Sequence, residues 1–116
     1  MDLYHVFCDL KPGVADLAFA ESLARYLGHL REQGLIGDWR LSRRKLGLGP
    51  ATLGEFHIVI EVKDLAQLDA AFSRVASRTE PVEGLHHDVN SLVRNAVFAL
   101  YRDFPDPERQ TGAERF

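Results

Sequence analysis

The chain has 116 residues, enough for one domain with a two-layer core. Its 46% apolar and 27% charged content is ordinary for a globular protein. With 14 basic against 17 acidic side chains it carries a net charge of -3, so nucleic acid is not expected as the main partner, because phosphate neutralisation needs a basic excess.

From Leu3 to Leu10 the chain alternates, with Tyr4, Val6, Cys8 and Leu10 on an apolar face and His5, Phe7 and Asp9 on a mixed one; this predicts a first strand. Met1 to His5 has neither the basic nor the apolar stretch of a secretory signal, and no apolar run reaches transmembrane length. The lone cysteine, Cys8, allows no internal disulfide and fits a reducing compartment. The expectation is a cytoplasmic protein with no membrane partner. Lys11-Pro12-Gly13 suits a type II turn. Asp16 lies at the start of a helix running to about Gln33, with Gly34 as its left-handed stop. Leu17, Ala20, Leu23, Ala24, Leu27 and Leu30 form its apolar stripe, and Glu21 and Arg25 can pair outside. Gly28 inside that helix costs roughly 1 kcal/mol relative to alanine, which close packing on a sheet would explain.

A second strand is expected from Ile36 to about Leu46, with Trp39 and Leu41 opposite Asp38, Arg40, Ser42 and Arg44. Residues 47–54, punctuated by glycine, form a long hairpin loop. The third strand is the most regular stretch: Phe56, Ile58, Ile60 and Val62 make one face, and Glu55, His57, Val59 and Glu61 the other. Asp64, with Gln67 three residues later, caps a second helix whose stripe is Leu65, Leu68, Ala71, Phe72, Val75 and Ala76. Between Pro81 and Val93 a short extra helix is expected. The last strand runs from Asn95 to Phe104, with Ala96, Phe98 and Leu100 opposite Val97, Ala99, Tyr101 and Asp103. The domain thus spans residues 1–105, and 106–116 is a polar tail.

The order β-α-β-β-α-β is the ferredoxin-like α+β arrangement, a four-stranded sheet with two long helices on one face. The first and third strands belong in its centre, expected to run parallel, with the second and fourth at the edges. The helices cover the purely apolar faces. His5, Phe7, Asp9, Arg40, Ser42, Arg44, His57, Val59, Glu61, Val97, Ala99 and Tyr101 then share the opposite face. Its apolar members form too large a patch for a monomer, and its polar ones are costly to bury unpaired. Two such sheets packed face to face around a cavity meet both demands, so a homodimer is expected.

In this element order, with His86-His87 on the short helix and Phe98 to Asp106 closing the last strand, the chain resembles the dimeric α/β-barrel superfamily. That superfamily includes small cofactor-free monooxygenases of antibiotic biosynthesis, muconolactone isomerase-like enzymes and stress-responsive barrel proteins. The end of the last strand is similar to that of small uncharacterised bacterial members. The resemblance implies a homodimer, a small-molecule cavity and, for an enzyme, proton transfer, oxygenation or isomerisation without a cofactor. A histidine-bearing helix at the cavity mouth is part of the same implication.

His57 and His5 are the candidate catalytic acid and base, with Asp9 or Glu61 beside them, since an imidazole titrates near neutrality. Arg40 can clamp an anionic group of a small organic ligand, and Tyr101 offers a hydroxyl. His86 and His87 diverge by about 100° on a helix, so one of them, with His87 as the candidate, closes the cavity. Each has a structural alternative. The histidines can fix dimer register, Tyr101 can anchor an interface, and the basic run Arg40 to Lys45 can guard a sheet edge. No tight metal-ligand spacing and no nucleotide-binding glycine fingerprint occurs, so neither metal nor cofactor is expected. An RNA-binding sheet is rejected because Glu55 and Glu61 would repel phosphate. A non-catalytic ligand-binding domain and a structural dimer stand as alternatives to an enzyme.

Overall fold

Seven elements follow one another: β1 (Asp2–Leu10), α1 (Asp16–Glu32), β2 (Trp39–Arg43), β3 (Phe56–Val62), α2 (Leu65–Ala76), α3 (Val82–Asn90) and β4 (Val93–Arg102). The computed structural model describes residues 1–105 and 111–112; apart from Thr111 and Gly112, the tail expected at 106–116 lies outside the described residues. The strands form one sheet in the order β2-β3-β1-β4, the ferredoxin-like fold. Every neighbouring pair is antiparallel, which corrects the expected parallel pairing of the first and third strands. The right-handed crossover makes β1 and β2 parallel, but the β2–β3 hairpin reverses the chain before β3 inserts between them. No helix among the described residues is long and apolar enough to cross a membrane.

Local chemistry sets the ends of the elements. Val14 N–H donates to Lys11 O across a turn that holds Gly13 at φ +83°. At the end of α1, Gly34 takes φ +73°, Leu35 N–H returns to Leu30 O and Gly34 N–H to Arg31 O. That doubled return satisfies carbonyls that the last helical turn leaves open. Asp64 accepts from Gln67 N–H at 2.9 Å, and the Gln67 side chain donates to Gly34 O, tying α2 to the end of α1. The 44–54 loop is held from inside. The Arg44 guanidinium donates to Pro50 O at 2.9 Å and to Leu53 O at 2.7 Å. Gly54 lies so close to the Cys8 backbone that no Cβ fits.

The core lies between helices and sheet, built from Phe56, Ile58, Ile60 and Val62 of β3, Cys8 of β1 and the buried side of the helices. The α1 stripe is rotated from the expected one. Phe19, Leu23, Leu27 and Leu30 are buried, while Leu17 is 74% exposed. On α2, Leu68 and Ala71 are buried, but Leu65 and Phe72 sit at the edge, each nearly half exposed. Gly28 has open space where a Cβ would stand, so close packing does not explain it. Strand β2 is shorter than expected at both ends, although Gly37, next to Ile36, still donates its N–H to Glu61 O of β3 at 2.7 Å. At the other edge, Arg102 clamps the buried Asp2 carboxylate at 2.6 Å, which holds that acid below the usual carboxylate range.

Candidate functional site

The face of the sheet opposite the helices is open, and strand register determines who meets whom on it. His5 stands opposite Val59 and Ala99, with Arg40 beyond Val59; Phe7 stands opposite His57 and Val97, with Ser42 beyond His57. Leu3 stands opposite Glu61 and Tyr101 in the next row. His5 and His57 are therefore diagonal neighbours on adjacent strands, a separation that two imidazoles can bridge.

They do bridge it. His5 Nδ1 and His57 Nε2 lie 2.9 Å apart, with the ring planes within 10° of parallel. Phe7 stacks on His57 at 4.3 Å, and the Tyr101 ring meets His5 edge-on at 5.0 Å. Only one proton fits between the two nitrogens, so one ring must act as acceptor. Burial, reinforced by His5 next to it, holds His57 below the usual imidazole range. His5 Nε2 is buried and has no hydrogen-bond partner among the described residues. Such a pair can pass a proton but cannot hold two charges.

The other expected site residues separate from this pair to different degrees. Tyr101 is against it, and Arg40 shares the row of His5. Glu61 is on the same face one row away, while Asp9 is at the far end of β1. There the Asp9 carboxylate accepts from Glu55 N–H at 2.9 Å and from the Asn95 amide at 3.2 Å, bonds that lower its pKa. It pins the start of β3 and the irregular start of β4 rather than facing the histidines. His87 belongs to α3, in the helical layer on the opposite side of the sheet.

A second feature lies under the helices. A pocket of about 220 Å³ opens between α1, α2, α3 and the sheet, walled by Tyr4, Tyr26, Leu27, Phe72 and Phe98, with His86 and Asn90 of α3 also in its lining. His86 rather than His87 reaches it, packing against the Tyr26 ring at 5.5 Å. Burial pushes the Tyr26 hydroxyl up to about 12, so it acts as a hydrogen-bond donor, not as a base. On the same side of the sheet, Phe98, which lines the pocket, and Leu100 of β4 are exposed. Tyr4, Tyr26 and Asn90 were not singled out from sequence as site residues, whereas His86 was named there with His87 as one of the two histidines able to close a cavity. The available signal was the i, i+4 spacing of His86 and Asn90, which puts two polar side chains on one face of a short helix.

The whole chain, residues 1–116, matches the model of DUF6614, described as a family of unknown function. No curated protein matches the sequence. Among solved structures, the chain is similar to At3g17210 from Arabidopsis thaliana, with a TM-score of 0.71 and 8% identity over 91% of this chain and 98% of that one. It is also similar to SnoaB, a cofactor-independent oxygenase from Streptomyces nogalater, with a TM-score of 0.66 and 11% identity over 90% and 97% of the two chains. A dimeric ferredoxin-like protein of unknown function from Jannaschia sp. CCS1 gives a TM-score of 0.64 and 14% identity over 89% and 100%. At these identities the likeness establishes the fold.

Proposed function

We propose that this chain, which belongs to DUF6614, a family of unknown function, forms a homodimer and holds a small, mostly apolar organic molecule between its sheet and its helices. The observation that carries the reading is the pocket of about 220 Å³, walled by aromatic and aliphatic side chains with His86 and Asn90 among its few polar groups. Apolar walls with a few convergent polar groups are the usual form of a small-molecule site. The dimer is supported by the apolar groups of the open face, where Val97 and Tyr101 are exposed, and by the dimeric Jannaschia protein of the same fold. The lone cysteine, buried Cys8, fits a reducing, cytoplasmic location.

A catalytic reading rests on a different observation, the His5–His57 pair with its unpartnered Nε2. Here His57 or His5 serves as the base for cofactor-free oxygenation or isomerisation, Arg40 orients an anionic group, and Tyr101 and Glu61 line the space between two facing sheets. The fold shared with SnoaB, a cofactor-independent oxygenase, supports this chemistry by analogy only. Asp9, bonded to Glu55 and Asn95, stands apart from that pair, and His87, the sequence candidate for closing a cavity, is on α3.

Amide and aromatic NMR shifts, followed during titration with a panel of small aromatic compounds, test both. Changes at Tyr26, His86 and Phe98 are expected. Changes confined to His5, His57 and Tyr101 would move the site to the open face, and a silent spectrum across the panel would contradict ligand binding.

A further inference from the structure

We infer that the molecule held between the layers carries an anionic head, and that Arg78, with His86 and His87, receives it where α2 meets α3. This inference rests on the proposed pocket. It adds the substrate class: an apolar body with one carboxylate or comparable anion.

Two recesses meet at this point. The apolar pocket shares Val75, His86 and Asn90 with a second recess of about 320 Å³, whose walls add Ala76, Arg78, Glu83 and His87. His86 and Asn90 thus line both recesses and are the polar groups the two have in common. In the proposed pose the apolar body lies along Tyr4, Tyr26 and Phe72, and its head lies past His86 toward Arg78 and His87, which line the adjoining recess. Among the side chains of the second recess, Arg78 is the one that is always cationic, and the imidazoles add hydrogen-bond donors. Glu83 shares the wall, so the anion sits on the Arg78 side of the recess, and Glu83 weakens its binding rather than assisting it.

Arg78 also occupies an unusual backbone position. It is the second residue beyond α2 and takes φ +54°, the left-handed conformation that helix ends normally assign to glycine. Glycine would suit the turn better; arginine keeps a cation over the recess. The two effects can be pulled apart by one substitution, because Arg78→Gly relieves the backbone while removing the charge.

The experiment uses the full chain and a matched pair of probes, 2-naphthoate and its neutral isostere 2-naphthamide, titrated by NMR. The native chain is expected to bind naphthoate about fivefold more tightly than naphthamide, the size of a partly exposed ion pair. That preference should shrink as salt is raised. Arg78→Gly should abolish it while leaving naphthamide affinity and thermal stability unchanged or the stability raised, and Glu83→Gln should strengthen naphthoate binding. Equal binding of both probes to the native chain would overturn the anionic head and leave the pocket intact. Equal weakening of both probes by Arg78→Gly would overturn the role of Arg78. If neither probe shifts the Tyr26 or His86 resonances, the pocket itself fails, and this inference with it.

Discussion

Burial at single positions decides what each side chain can do. Phe19 is fully buried, packed edge-on against Phe56 at 5.2 Å, whereas Phe72 is nearly half exposed. Phe19→Ala should therefore cost about 3–5 kcal/mol in denaturant unfolding, while Phe72→Ala should cost nearer 1 kcal/mol, because only part of its surface leaves water. Equal losses at the two positions would contradict the α1 and α2 packing. Burial also pushes the Cys8 thiol up to about 11, so a thiol reagent should leave the native protein unmodified at neutral pH and label it once it is unfolded. For His57 the sign follows from its lowered pKa. The unfolded chain binds the proton more readily, so this contribution to stability is complete above the ordinary value of 6.5 and is lost as pH falls below it. Thermal melts from pH 8 to pH 5 should thus fall more steeply for the native chain than for His57→Gln. Face assignment at this scale was legible from alternation alone: His5, His57 and Tyr101 stand together as their parity requires. Which neighbour each would touch was not, since the diagonal contact depends on strand register.

At the scale of elements, the caps and turns spoke most clearly. Gly13, Gly34 and Asp64 do what their local chemistry dictates, because each acts within a few residues of itself. Gly28 and Gly54 invert the naive expectation. The mid-helix glycine faces open space, so Gly28→Ala should raise stability by about 0.5–1 kcal/mol through propensity alone. Gly54, in a loop that looks permissive, stands against the Cys8 backbone, and Gly54→Ala should be the more damaging change. Comparing the melting temperatures of the two variants checks the sign of each. The phase of the α1 stripe was misread because Leu17 and Phe19 both fit a helical repeat, and only packing against β3 chooses between them. Tertiary contact, not propensity, set the phase.

For the whole molecule, element order was enough for the fold, but not for strand direction or for the pocket. The pocket is lined by residues of all three helices and of β1, β3 and β4, a juxtaposition of the assembled layers that no local pattern encodes. Exposed Phe98 and Leu100 on one side of β4, and Val97 and Tyr101 on the other, leave an edge strand that is apolar on both faces. Such a strand invites association unless it is covered. A second copy packed on the open face would cover Val97 and Tyr101 and enclose the His5–His57 pair. Sedimentation velocity at micromolar concentration tests this most directly. The account predicts a species of twice the 13.1 kDa chain mass, and its loss to monomer or precipitate in Val59→Asp, where an unpaired carboxylate would be buried at the centre of the face. A native chain that sediments as a clean monomer across that range would contradict it.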